Sequence, residues 1–159
     1  MRLLQTGVAA LVVLAAVACG INASPADGLL FSPPSGWQSS PGIMGFMQFW
    51  RPPSGGREVL ILFKSPKPIK PSDITTQPGI DDSLKNTTVE RREDVVICGH
   101  QPATYMEARG TSSHGDESRV EMMMSTVGSA TYLAIYVRPL AAAPHRLAEA
   151  SLRELCPKP

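Results

Sequence analysis

The stretch Val95-Val96-Ile97-Cys98-Gly99-His100-Gln101-Pro102-Ala103-Thr104-Tyr105 decides how this chain is read. Its β-branched residues favour a strand, and the Gly and Pro that follow favour a turn. The run therefore delivers a cysteine into a turn, and a second strand-like run leaves from it. The chain carries 3 cysteines. If Cys19 belongs to an export signal, Cys98 and Cys156 are left as the only pair in the mature domain, and an oxidising compartment would join them. Such a bond would pin the end of the chain to this turn. In the chain-entropy model it contributes roughly 4 kcal/mol.

The export signal is read at residues 1–18. Met1-Arg2 supplies one positive charge, Val8 to Ala18 is an unbroken run of Val, Ala and Leu, and Ala16-Val17-Ala18-Cys19 closes it with small residues before a cysteine. The run is shorter than the about 20 residues that span a bilayer, so it reads as a signal peptide rather than a membrane helix. Two cleavages fit. Ala16-Val17-Ala18 satisfies the small-x-small rule of ordinary secretion, whereas the segment also resembles a bacterial lipoprotein signal whose new N-terminal thiol accepts diacylglycerol. Ala16 stands where that motif more usually has Leu. The cysteine favours lipidation of Cys19, with residues 19–28, small and polar, as a tether to the membrane. The expected location is the cell membrane, lipid-anchored on the periplasmic or extracellular side; the alternative is a secreted protein.

At 159 residues, 43% hydrophobic and 18% charged, the chain holds one domain with a real core, expected at residues 29–159. Removing residues 1–18 takes Arg2 from the 15 Lys and Arg, which then equal the 14 Asp and Glu. A neutral domain without clustered cations has no nucleic-acid footprint. The densest charges are mixed, as in Glu90-Arg91-Arg92-Glu93-Asp94, and read as a solvated face.

Ahead of the deciding stretch, Ile43 to Trp50 and Glu58 to Lys64 read as a hairpin separated by Pro52-Pro53-Ser54-Gly55-Gly56. Val59, Ile61 and Phe63 alternate with Leu60 and Leu62, so the second strand is apolar on both faces and should lie inside the sheet. Pro66, Pro68, Pro71 and Pro78 break the next segment, where a loop and one short helix near Ile80 to Asn86 are expected. Beyond it come strand-like runs at Thr88 to Arg92, Asp94 to Cys98, Ala103 to Thr111, Ser118 to Val127 and Ala130 to Arg138. Their short Gly-containing connections predict a consecutive antiparallel meander. A helix is predicted over 143–155, with Leu147, Ala148, Ser151, Leu152 and Leu155 on its core side.

This order resembles the PsbP-like fold family, which includes LpqN-type bacterial cell-envelope lipoproteins. The residues that carry the resemblance are Pro33-Pro34-Ser35-Gly36-Trp37 before a strand, the late strand Tyr132-Leu133-Ala134-Ile135-Tyr136, and the amphipathic closing helix. The resemblance covers about residues 29 to 156. It implies an α+β fold: an antiparallel β-sheet meander covered by a C-terminal helix and a short helix or loop layer, a PsbP-like α/β/α sandwich. It also implies a binding or assembly accessory. No catalytic, cofactor or metal residue of the family maps onto the sequence.

The sequence holds no Gly-x-Ser-x-Gly elbow, no phosphate loop, no His-Glu-x-x-His and no Cys-x-x-Cys. His114-Gly115-Asp116-Glu117 could offer ligands to a divalent cation with His100, but a solvated hairpin tip explains the same residues. On a strand Met122 and Met124 point one way with Val120, and Met123 points the other way with Glu121 and Ser125, so three sulfurs cannot meet on one ion. They read as core. His100 and His114 belong to successive hairpin connections, at opposite ends of a meander and too far apart to share a proton or a metal. His145, at a helix start, reads as a surface residue. The expectation is an exported, membrane-anchored lipoprotein without a cofactor and not an enzyme, a binding or assembly accessory in the cell envelope. An envelope protein or a lipid is its expected partner, with no nucleic acid. The alternative is a small exported hydrolase acting on wall or lipid material.

Overall fold

A computed structural model describes residues 28–42, 46–76, 84–112 and 114–158. The signal peptide expected at 1–18, Cys19 and the tether up to residue 27 lie outside them. The elements are β1 (Leu29–Leu30), β2 (Gln38–Pro41), β3 (Phe46–Arg51), β4 (Val59–Ser65), a 3-10 helix (Pro71–Thr76), β5 (Leu84–Ile97), β6 (Gln101–Ser112), β7 (Glu117–Val127), β8 (Ala130–Pro139), α1 (Arg146–Arg153) and β9 (Cys156–Pro157).

Seven strands form one antiparallel sheet in the order β2-β3-β4-β8-β7-β6-β5. β5 to β8 are the expected meander, and β4 closes onto β8, so β8 is central. Its composition suits that place. Tyr132, Ala134 and Tyr136 are buried on one face and Leu133 and Ile135 on the other, which only a strand covered on both sides can satisfy. The first face packs with Leu29, Phe31, Trp37, Trp50, Leu60 and Leu62 and with Ala148, Leu152 and Leu155 of the α1 region. The second face gathers Met106, Val120, Met122, Met124, Leu133 and Ile135, with Ile69 and Ile74 from the proline-broken segment against it. The Ile69 N–H donates to Thr131 Oγ1 at 2.9 Å, which holds that segment to the sheet. Met123 packs on the first face, as strand alternation requires.

The first and last described segments are joined. β1 pairs with β9, Leu29 opposite Pro157 and Leu30 opposite Cys156, and the Lys158 N–H donates to the Gly28 carbonyl at 2.8 Å. Cys98 and Cys156 are bonded, with Cα atoms 5.6 Å apart. This ties β9 to the turn between β5 and β6.

Four readings are corrected. The runs Thr88 to Arg92 and Asp94 to Cys98 are parts of one strand, β5, 14 residues long. The charged run at their junction is compatible with an edge strand, whose side chains meet water on an open flank. Irregularities between Lys85 and Thr88 and between Val89 and Arg91 absorb the twist of so long a strand. Of the short helix expected at 80–86, residues 80–83 lie outside the described residues and 84–86 belong to β5. The predicted helix over 143–155 is shorter, because the Tyr136 hydroxyl accepts the His145 N–H at 3.0 Å and keeps His145 extended. At its other end Cys156 leaves to meet β1 and Cys98. His145 is also half-buried rather than superficial, its ring edge-on to Trp37 at 5.3 Å. β2 was not foreseen: Gln-Ser-Ser-Pro has no apolar alternation, and an outermost strand does not need one.

Candidate site beside the closing helix

The strand register produces a polarity gradient across the α1 face. One row runs Trp50, Leu60, Tyr136, Glu121, Glu107, Arg91, each residue directly opposite the next. The neighbouring row runs Leu62, Ala134, Met123, Tyr105, Glu93. Both start apolar under the body of the domain and end charged at β5. The charged end is therefore built into the sheet.

Glu121 sits where the gradient changes sign. It is 4% exposed and Arg138 is 6% exposed; Arg138 Nε and Nη2 both lie 3.4 Å from Glu121 Oε1. Arg138 Nη1 donates to the Ala142 carbonyl, so the guanidinium also holds the approach to α1. The Tyr105 hydroxyl lies 3.0 Å from Glu107 Oε1 and 3.4 Å from Glu121 Oε2. Arg91 continues the network to Glu93 at 2.7 Å and Glu107 at 3.2 Å, with its guanidinium over the Tyr105 ring. Glu90 holds Arg109 at 3.2 Å and Arg119 at 2.8 Å.

Burial governs the titration of this cluster. Loss of water pushes the Glu121 carboxyl above its ordinary value; Arg138 opposes that shift, and the charges of Glu149 and Glu107 add to it. The Tyr105 hydroxyl is pushed up by burial first, then by the charge of Glu121 and the bond to Glu107. At neutral pH Tyr105 is thus a fixed proton donor. It is not a base.

A cleft of about 240 Å³ opens between this network and the last turn of α1. Val95, Val96, Ile97 and Met123 give it apolar walls, and Arg91, Glu93 and Arg153 with the neutral Tyr105 give it a polar rim. A second, larger and more open cleft of about 450 Å³ lies at the turn between β6 and β7, where Arg57 bridges Asp116 at 2.7 Å beside His114 and Ser118.

His114 and Asp116 line that second cleft, whereas Glu117 starts β7 and His100 occupies the turn at the other end of β6. The 12 residues of β6 separate the two histidines, on the order of 35 Å along the strand. Among the described residues no group of three His, Cys, Asp or Glu side chains is placed to hold a metal ion. No described helix is long and apolar enough to cross a membrane.

Glu121, Arg138 and Tyr105 were not singled out from the sequence. A signal existed: Glu121 shares the parity of Met123 and Ser125, and Arg138 that of Tyr136, so each places a charge on a face that is otherwise core.

No protein-family model matches the sequence, and no curated protein matches it. Solved structures do match. The chain is similar to cyanobacterial PsbP (CyanoP) from Synechocystis sp. PCC 6803, with TM-score 0.63 and 14% identity over 86% of this chain and 90% of that one. It is similar to LpqN of Mycobacterium tuberculosis, a protein involved in cell envelope biogenesis, with TM-score 0.54 and 16% identity over 81% and 83% of the two chains. A protein from Bacteroides thetaiotaomicron matches with TM-score 0.56 and 13% identity over 86% of this chain but 47% of that one. Identities this low speak to the fold alone, and the fold of this chain is PsbP-like.

Proposed function

We propose that this chain is an exported cell-envelope protein, anchored to the membrane through an acylated Cys19, that binds a partner through the cleft between β5 and α1. The observation that carries the reading is the state of the cleft's rim. Arg91, Glu93, Glu107 and Tyr105 already hold one another beside apolar walls. Such groups are preorganised to receive an apolar side chain or acyl segment flanked by polar groups. The disulfide fits an oxidising compartment, and the likeness to LpqN supports an envelope role.

A photo-crosslinking residue in place of Arg153, on the rim, tests the binding. In the producing cells it should give one discrete adduct, and Arg91→Ala together with Tyr105→Phe should abolish it. Diffuse or unchanged labelling refutes the cleft as the binding site. The anchor is read by mass spectrometry of the mature N-terminus, where diacylglycerol on Cys19 is expected and an unmodified start beyond Cys19 refutes it.

One observation favours a second reading, a small exported hydrolase. A carboxyl raised by burial beside a cleft is a common attribute of a catalytic acid, and Glu121 has it. Turnover of wall or lipid ester, amide or glycoside probes that Glu121→Gln removes would install that reading.

A further inference from the structure

Among the described residues β5 is an outer edge of the sheet, hydrogen-bonded only to β6. Charges on such an edge usually keep other strands away, but the charges here are divided by face. On the α1 face Glu90, Arg91 and Glu93 are consumed within the chain. On the opposite face Arg92 stands opposite Met106 and Asp94 opposite Thr104. Both are exposed, and neither forms an ion pair among the described residues; Asp94 accepts only from the Thr104 hydroxyl, at 3.3 Å.

Two large apolar side chains join them there. Val96, 66% exposed, stands opposite Pro102, and Val89, 42% exposed, stands opposite Ala108. The irregularity between Val89 and Arg91 carries Val89 onto the face of Arg92 and Asp94. The strand thus presents, in order, an apolar residue, a cation, an anion and an apolar residue on one side of an open edge.

We propose that β5 is a self-association edge, on which a second copy of this chain pairs antiparallel about a two-fold axis at Glu93. In that register Arg92 faces Asp94 of the second copy and, with Glu90 the extra residue of the irregularity, Val89 faces Val96 of the second copy, each contact occurring twice. The two neighbouring registers fail on charge. An axis at Arg92 opposes two uncompensated guanidiniums, and an axis at Asp94 opposes two uncompensated carboxylates. An axis at Glu93 opposes two carboxylates that each carry their own counter-ion, Arg91 at 2.7 Å. A two-fold interface must be complementary to itself. With the axis at Glu93 this edge is so.

The interface runs along the edge of β5, which shares Glu93 and Val96 with the lining of the α1 cleft, but its test reads mass rather than partner capture, so it stands or falls separately from the binding reading. Sedimentation equilibrium of the intact protein in density-matched detergent should show a concentration-dependent dimer that salt weakens. Arg92→Asp and Asp94→Arg should each weaken it roughly tenfold or more, since every cross-strand pair becomes like-charged. Mixing the two variants should restore association as a one-to-one heterodimer, and Val96→Lys should weaken the parent dimer. Unchanged near-ultraviolet circular dichroism of each variant separates lost pairing from lost folding. A protein that stays monomeric at all concentrations, a dimer indifferent to the single changes, or folded variants that fail to restore each other overturns the proposal.

Discussion

Glu121 and Arg138 face each other diagonally across β7 and β8 with two contacts of 3.4 Å, both side chains less than a tenth exposed. The pair sits where the apolar rows of the α1 face turn charged. Its carboxyl is raised above its ordinary value, with burial as the first cause. A raised carboxyl means that the folded state binds the proton more tightly than the unfolded one. Its stabilising contribution is therefore full below the unfolded value of 4.5 and is lost as pH rises through the folded value. The midpoint of urea unfolding, followed upward from mildly acid pH, should fall in the wild type and fall less in Glu121→Gln.

Breaking the pair on one side should cost more than removing it. Arg138→Leu leaves a buried carboxylate beside Tyr105 and withdraws the donor to the Ala142 carbonyl. A loss of about 3–5 kcal/mol is expected. Replacing both residues with Leu removes the uncompensated charge, so the double variant should be more stable than Arg138→Leu alone. Additive losses in the double-mutant cycle would show that the two groups do not interact.

The disulfide joins a backbone position that a cysteine does not favour. Cys98 has φ 54° and Gly99 φ 76°, and the His100 N–H returns to the Ile97 carbonyl at 3.2 Å. Two successive left-handed residues call for Asn or Gly first. Reduction should cost roughly 4 kcal/mol, since the bond closes a separation of 58 residues. Cys98→Asn with Cys156→Ser should be more stable than Cys98→Ser with Cys156→Ser by about 1 kcal/mol, because Asn tolerates the left-handed turn. Thermal unfolding of the two double variants measures the difference.

Gly28 starts the β1–β9 closure with φ +70°, and a Cβ there would meet Tyr132 Oη at 3.1 Å. Gly28→Ala combines a left-handed penalty with that contact, for a loss of about 1–2 kcal/mol. The loss should be local. Exchange of the Lys158 amide, which donates to Gly28, should accelerate while the amides of β7 and β8 stay protected.

What was legible in the sequence follows from burial. β4 and β8 are apolar on both faces, so alternation and length alone placed them inside the sheet, and the same alternation divided Met122 and Met124 from Met123. The edges were harder, because an outer strand has no obligatory pattern: β2 is Gln-Ser-Ser-Pro, and β5 carries five consecutive charged residues through its middle. The candidate site was hidden for a further reason. Its charges are ordinary in composition, and only the register that stacks Tyr136, Glu121, Glu107 and Arg91 shows them to be one network.

The alkaline limit of the fold should be set by two tyrosines. Tyr136 is fully buried; its hydroxyl donates to Glu58 Oε2 at 2.9 Å and accepts the His145 N–H at 3.0 Å, joining the entry to β4 with the start of α1. Burial is the first cause that raises it, and the bond from the His145 backbone partly offsets the rise. Tyr105 is raised as well, again by burial first. For a phenol the raised value means that the folded state keeps the proton longer, so both contributions are full below the unfolded value of 10.0 and are lost as pH rises through the folded values. The tyrosinate absorbance of Tyr105 and Tyr136 should therefore appear only together with unfolding. Tyr136→Phe should reduce the alkaline loss and lower stability at neutral pH by about 1–3 kcal/mol, because the His145 N–H and the Glu58 carboxylate lose their shared partner. Tyr105→Phe should reduce the alkaline loss too, but with a smaller neutral penalty, since Glu107 keeps Arg91 and Glu121 keeps Arg138. Ionisation of both tyrosines ahead of unfolding would contradict the buried hydroxyl geometry.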